Sequence, residues 1–118
     1  MGDLKWFSDT EVPIFMTCGV NEKLPIELVQ FILDLCFERG VTGEADYFQF
    51  FDIESTGGII KIKMQQENPE MITKCTIAIK TDKKFTGRVY CIETWNGVEK
   101  SKATIDDHYI MVLLPEEY

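Results

Sequence analysis

The sequence predicts an α+β domain of two layers, in which one long amphipathic helix packs on one face of an antiparallel sheet of about five strands. Three observations support this fold class. Apolar residues follow helical spacing around residue 30, they follow two-residue spacing in several segments after residue 46, and the chain has 118 residues. Because a chain of this length forms one hydrophobic core, we expect residues 1–118 to be a single domain.

The predicted helix runs from Pro25 to about Arg39. Proline suits the first helical position because its missing N–H would have no partner there, and Gly40 follows as a C-cap. The polar residues of this segment form one stripe at spacings of three and four, namely Glu27, Gln30, Asp34 and Glu38. The remaining positions are mostly apolar. The side chains that we expect to face the sheet are Leu28, Ile32 and Leu35.

The predicted strands follow the helix and are separated by turn residues such as Gly57-Gly58 and Asn68-Pro69. The five strands are residues 47–54, 59–66, 71–80, 86–94 and 108–114. Residues 12–18 are a candidate sixth strand, which Pro13 would confine to an edge, and residues 98–107 have the polar composition of a loop. The strand residues that we expect to pack on the helix are Ile60, Ile62, Ile77, Val112 and Leu114.

The charge of the chain excludes some functions. Acidic residues outnumber basic residues by 20 to 12, which gives a net charge of −8, and residues 1–59 account for all of it with eleven acidic and three basic residues. Binding to a phosphate backbone depends on clustered lysine and arginine, so the composition disfavours direct binding to nucleic acid. Two interpretations of the charge remain: it keeps the protein soluble, or it forms an acidic face that docks on a basic protein.

Residues that carry chemistry are few. The four cysteines include no C-x-x-C pair, so the sequence predicts no metal site, and each lies among apolar residues, so we expect four buried structural thiols: Cys18, Cys36, Cys75 and Cys91. The single histidine, His108, follows two aspartates and opens a predicted strand. No phosphate-binding loop or nucleophile elbow is present. We expect neither an enzyme nor a cofactor.

The sequence also lacks the features of a membrane or secreted protein. No apolar run approaches the roughly 18 to 20 residues that span a bilayer. Asp3 and Asp9 lie where a signal peptide would have basic and apolar residues. We therefore expect a cytosolic protein that has no contact with a membrane.

Three segments carry a resemblance to a known family: G-V-N-E-K-L-P-I-E-L from residue 19, D-Y-F-Q-F-F-D-I from residue 46 and Q-Q-E-N-P-E from residue 65. Together they resemble a small family of Firmicutes and their mobile elements, catalogued as domain of unknown function 960. The resemblance covers most of residues 14–118, although residues 96–107 are longer than the family leads us to expect. It implies no catalytic residues. It implies a mobile-element context, in which short acidic domains often inhibit host nucleases.

The charge and the resemblance lead to a first hypothesis, a non-enzymatic inhibitor of the counter-defence, anti-CRISPR or anti-restriction type. Its acidic face would dock on the basic nucleic-acid-binding surface of a nuclease such as a Cas9-type enzyme, where electrostatic complementarity speeds association and sets the register. The candidate partner-binding residues are Glu27, Asp34, Glu38, Glu44 and Asp46.

The alternative is a cytosolic protein–protein interaction module or homodimer that needs no acidic face. It would pair through a free sheet edge or through an apolar patch around Trp95 and Tyr118. A third possibility, a hydrolase that uses carboxylates and His108, requires these groups to converge in a pocket, and nothing in their spacing favours that.

Overall fold

A computed structural model describes residues 13–95 and 108–118, apart from the side chains of Trp95 and His108. These residues form two helices and one six-stranded sheet with the strand order β1-β6-β5-β2-β3-β4. The elements are β1 (Ile14–Met16), α1 (Cys18–Lys23), α2 (Ile26–Val41), β2 (Phe48–Thr56), β3 (Ile59–Glu67), β4 (Glu70–Ala78), β5 (Gly87–Trp95), β6 (His108–Leu113) and a closing 3₁₀ turn (Pro115–Glu117). The α+β class with one long helix is confirmed, and the sheet has six strands rather than five.

One edge of the sheet differs from the antiparallel prediction. β1 pairs with β6 in parallel, with Ile14 opposite Ile110, whereas the other four pairings are antiparallel. The backbone N–H of Ile110 donates to the carbonyl of Pro13 at 2.9 Å, and that of Thr17 donates to the carbonyl of Val112 at 3.1 Å. A pairing between the first and last strands of a chain leaves no local signal in the sequence, and so the parallel edge was not predicted.

The predicted orientation of the long helix is confirmed. Leu28 and Ile32 on α2 are fully buried, and Leu35 is half-buried against the same core. The strand residues in this core are Phe51, Ile53, Ile60, Ile62, Met64, Val89, Cys91, Ile110, Val112 and Leu114, with Ile77 packed at its margin. The core therefore lies between α2 and one face of the sheet, which we call the inner face.

The ends of the helices differ from the prediction. Pro25 is the N-cap residue of α2 rather than its first helical residue, and Gly40 lies inside the helix. The Arg39 carbonyl in the last turn accepts both the hydroxyl of Thr42 at 2.6 Å and its backbone N–H at 3.2 Å. The left-handed glycine is Gly43, with a φ of 80°. α1 was missed because six residues are too few for a helical period to be recognised.

The expectation of four buried thiols is wrong for one cysteine. Cys36 and Cys91 are buried and Cys75 is half-buried, but Cys18 is exposed at the first position of α1. Burial raises the pKa of the Cys36 thiol well above its ordinary value, and the neighbouring Cys91 raises it further. Only the thiols between α2 and the sheet therefore behave as the apolar core residues that we expected.

The opposite side of the sheet, which we call the outer face, is not covered by a helix among the described residues. The rings of Phe48, Phe50 and Tyr90 lie on this face. The ring of Tyr118 packs edge-on against Phe48 and Tyr90, and the distance between ring centroids is 5.7 Å in both pairs. Neither described helix is long and apolar enough to cross a membrane.

Candidate protein-binding surface

Helix α2 presents the predicted polar stripe to solvent. Glu27, Asp34 and Glu38 are all exposed, and at 1.5 Å per residue the first and last of them lie about 16 Å apart along the helix axis. Within residues 13–95 and 108–118, the ion pairs are Lys23–Glu116 and Arg88–Asp52, so none involves this stripe. The three carboxylates, which we call the acidic stripe, therefore keep their charge unneutralised on one surface of the helix.

The one basic residue of α2, Arg39, points away from the acidic stripe. Its side chain is only 6% exposed and lies against the inner face of the sheet. The guanidinium donates to the Gln49 side-chain oxygen at 2.8 Å and to the Thr73 hydroxyl at 2.7 Å. Gln66 joins the same cluster by accepting from the Gln49 amide at 2.7 Å. Because neutral groups hold Arg39 beneath the helix, it does not cancel the charge of the outer carboxylates.

Exposed apolar side chains lie at both ends of the acidic stripe. Ile26 is 51% exposed at the start of α2, and Val41 is 81% exposed at its end. Protein interfaces commonly combine apolar contacts with polar ones, so the two side chains are available to a partner that docks on the acidic stripe. The sequence analysis missed these two residues. Helical spacing places Ile26 four residues before Gln30 and Val41 three residues after Glu38, so they extend the same stripe.

The two remaining candidate residues, Glu44 and Asp46, follow α2 in the sequence and differ in how exposed they are. Glu44 is exposed and lines a small cavity of about 190 Å³ whose other charged lining residues are Glu38 and Arg39, so it lies near the end of the acidic stripe. Asp46 is half-buried, and its carboxylate accepts the backbone N–H groups of Tyr47 at 2.9 Å and Asn68 at 3.3 Å. Asp46 therefore holds two chain segments together, and its charge is less available to a partner than that of Glu44.

With this geometry defined, comparison with known proteins identifies the family. The model of a family described as a staphylococcal protein of unknown function, DUF960, matches residues 14–117. The chain belongs to the DUF960 family. This DUF960 protein is also similar to the crystal structure of a protein of unknown function from Enterococcus faecalis, with a TM-score of 0.71, 20% identity and coverage of 98% of this chain and 97% of that chain. At that identity the likeness establishes the fold alone. No curated protein matches the sequence.

The potential metal ligands and the single histidine of this DUF960 protein can be compared with the prediction in the described residues. In the described part of the chain, no group of three or more histidine, cysteine, aspartate or glutamate residues could hold a metal ion. His108 begins β6, as expected of a polar residue that opens a strand, but its side chain lies outside the described residues, as does that of Trp95. The exposed carboxylates of α2 are therefore the candidate binding groups considered first.

Proposed function

We propose that this DUF960 protein is a non-enzymatic binding protein that docks helix α2 on a basic protein surface. The observation that supports this most strongly is the acidic stripe, in which Glu27, Asp34 and Glu38 are exposed without a basic neighbour at ion-pair distance among the described residues. Opposite charges across an interface steer the encounter and fix the register. Ile26 and Val41 would add apolar contacts at the two ends.

The partner class follows from the spacing and sign of the charges. Surfaces that bind nucleic acid are the most basic surfaces that proteins present, because they neutralise rows of phosphates. A row of carboxylates about 16 Å long can occupy such a surface in place of phosphates. We propose as partner a nuclease of the Cas9 type or a restriction enzyme, which the protein would inhibit in the manner of an anti-CRISPR or anti-restriction protein.

Charge reversal tests this proposal against a matched control. We expect a variant with Glu27→Lys, Asp34→Lys and Glu38→Lys to lose inhibition of DNA cleavage while it stays folded, because exposed helix charges contribute little to stability. The control reverses three exposed acidic residues away from α2, Glu22, Glu67 and Glu70, and should keep inhibition. Asp46 is left intact because its carboxylate holds backbone groups. Equal loss in both variants would contradict the proposal.

Salt dependence gives a second readout of the same contact. Exposed charges are screened over about 8 to 10 Å at 0.1 to 0.15 M salt, so the complex should weaken steeply as salt is added. Calorimetric titration of the purified nuclease at several salt concentrations measures this. A wild-type protein that neither binds nor inhibits any of the nucleases tested, or a complex that is indifferent to salt, would overturn the proposal.

One observation favours a second candidate, a homodimer formed through a sheet edge. β4 is the last strand of the described sheet, is nine residues long and pairs on one side with β3 and on the other with no described strand. Its Ile72 is 53% exposed. Long free edge strands with apolar side chains readily pair with another strand. Light scattering should then give twice the 13.6 kDa chain mass, and Ile72→Lys should restore the monomer. A monomeric wild type would eliminate this candidate.

A further inference from the structure

A second charged surface lies on the outer face, on the side of the sheet opposite α2. The pairing of β3 with β4 puts Lys63 directly opposite Lys74, and Lys61 follows two residues before Lys63 on the same face of β3. Lys61 and Lys63 point outward, because the alternating residues of β3, namely Ile60, Ile62 and Met64, are buried. We call Lys61, Lys63 and Lys74 the lysine cluster. It lies in the half of the chain that carries no net charge.

The lysine cluster lines a groove of about 680 Å³ across β2, β3, β4 and the start of β5. Its charged lining residues are Asp52, Glu54, Lys61, Lys63, Lys74 and Arg88. Four cations face two carboxylates, an excess of two positive charges in a chain whose net charge is −8. A groove of this size is in the range of pockets that hold small molecules, which is roughly 300 to 1,000 Å³.

The two carboxylates offset only part of the positive charge of the groove. Asp52 is paired with Arg88, whose Nε and Nη2 donate to its two oxygens at 2.8 and 3.2 Å, and it also accepts from the Gln65 amide at 2.8 Å. These contacts, with that of Arg88 the largest, lower the pKa of Asp52, and the charge of Lys63, which lies opposite Asp52 in the strand register, lowers it further. Glu54 lies opposite Lys61 in the strand register but forms no ion pair in the described part of the chain.

The juxtaposition of Lys63 with Lys74 is unfavourable for the protein alone. Like charges directly opposite each other on neighbouring strands repel and destabilise a sheet, and Asp52 on the other side of Lys63 offsets this repulsion only in part because it is already paired with Arg88. Neither ammonium forms an ion pair with a described residue. A bound anion would turn this repulsion into two attractive contacts, and Lys61 on the next row would supply a third donor to the same groove.

We propose that this groove binds a small phosphorylated molecule, with the phosphate held by Lys61, Lys63 and Lys74. A phosphate monoester carries about −1.5 to −2 charges at neutral pH and three acceptor oxygens, which matches both the charge excess and the number of free ammonium groups. A long polyanion is disfavoured by the net charge of −8. The groove lies on the opposite side of the sheet from the acidic stripe, so this site is independent of the function proposed for α2.

The test is a titration of the isotope-labelled full-length chain with inorganic phosphate and with O-phosphoserine, followed by amide chemical shifts at constant ionic strength. We expect saturable shifts confined to the groove strands β2, β3 and β4 and the start of β5. Lys74→Gln should weaken binding by about tenfold, because it removes a charge at contact distance from the phosphate. The control, Lys84→Gln, removes an exposed lysine that does not line the groove and should change affinity less than about twofold.

Thermal stability gives an independent readout, and it also tests whether the Lys74→Gln variant is folded. Without phosphate, Lys74→Gln should melt at or above the wild-type temperature, since it relieves the repulsion from Lys63. Phosphate should then raise the melting temperature of the wild type but not of the variant. Absence of saturable binding, equal weakening by both lysine substitutions, or tighter binding of a ten-nucleotide oligothymidine than of O-phosphoserine would each overturn the proposal.

Discussion

Alternate residues of the same strands form the two faces of the sheet, and the faces differ in amino-acid composition and in whether a helix packs on them. The inner face is aliphatic and is covered by α2, with Ile60, Ile62 and Met64 of β3 buried beneath it. The outer face of the same strand carries Lys61 and Lys63, and its neighbours carry aromatic rings and the Arg88–Asp52 ion pair. Stability therefore depends mainly on the inner face, and the outer face is free to take other roles.

Two adjacent glutamines demonstrate how strongly the face decides what a residue does. Gln65 is half-buried on the outer face and donates one hydrogen bond to Asp52. Gln66 is buried on the inner face, where its amide donates to the carbonyls of Glu44 at 2.9 Å and Pro69 at 2.8 Å. Its oxygen accepts from the Gln49 amide and from the Asp46 backbone. A glutamine side chain thus makes one half-buried contact on the outer face, whereas on the inner face it joins several buried groups.

The largest difference between covered and uncovered positions should appear in thiol reactivity. We expect Cys18 to react at once with a disulfide reagent, Cys75 to follow, and Cys36 and Cys91 to react only when the domain opens. Opening free energies of several kcal/mol slow the buried pair by on the order of 10³-fold or more. Absorbance during the reaction, with and without denaturant, measures this. Four thiols reacting at one rate would mean that α2 does not cover the inner face.

The next largest effect should come from a cavity under α2. Ile32→Ala removes a fully buried side chain and should lower the free energy of unfolding by about 2 to 5 kcal/mol. Val41→Ala on the same helix is the control, because this side chain is 81% exposed and its truncation should change stability by less than about 0.5 kcal/mol. Urea denaturation measures both variants. Similar midpoints would contradict the helix orientation.

The sequence predicted the features of the fold that have a local period. The spacing in α2 identified both its buried and its exposed sides, and two-residue spacing located β2 to β6 within a few residues. β1 lies within the candidate edge strand at residues 12–18, but its parallel pairing with β6 was not predicted because it joins distant segments of the chain, and α1 was missed because it is short. The C-terminal end of α2 was misplaced because Thr42 and Gly43, rather than Gly40, close the last turn.

The candidate site was predictable to a similar extent. Helical spacing correctly placed Glu27, Asp34 and Glu38 on one exposed side of α2, but it gave no information on Asp46, whose carboxylate is held by Tyr47 and Asn68. The lysine cluster required the β3–β4 register, which a hairpin pattern does not define to one residue. A polar residue in an inward position, such as Gln66 after Met64, is the sequence signal of the buried polar cluster around Arg39.

The adjacent glutamines give the third prediction. Gln66→Leu should lower the free energy of unfolding by about 1 to 3 kcal/mol, because it leaves buried partners without hydrogen bonds. Gln65→Leu is the matched control and should cost less than about 1 kcal/mol, since Asp52 keeps both bonds from Arg88 on a partly exposed surface. Chemical denaturation of the two variants compares the faces directly. Equal losses would mean that the buried cluster adds nothing beyond an ordinary surface contact.

The smallest effect concerns the clamp that holds the chain's end beside the outer face. The exposed carboxylate of Glu117 accepts from the Thr17 hydroxyl and from the backbone N–H groups of Leu114 at 3.0 Å and Gly19 at 3.2 Å. A Cβ at Gly19 would meet this carboxylate at 2.8 Å, so only glycine allows so close an approach. These bonds, with that of Thr17 the largest, lower the pKa of Glu117.

A lowered carboxyl pKa means that the ionised form stabilises the folded state. The contribution of Glu117 is therefore complete above the ordinary carboxyl pKa of about 4.3 and is lost as the pH falls through the lowered value in the folded protein. Glu117→Gln should flatten this part of the stability–pH curve, whereas Glu116→Gln, which removes the exposed 3.7 Å ion pair with Lys23, should leave its shape unchanged. In Glu117→Gln the proton resonances of the Tyr118 ring should move toward free-tyrosine values, because the clamp holds that ring against Phe48 and Tyr90. If the resonances and the curve stay as in the wild type, the aromatic contacts alone hold the chain's end on the outer face.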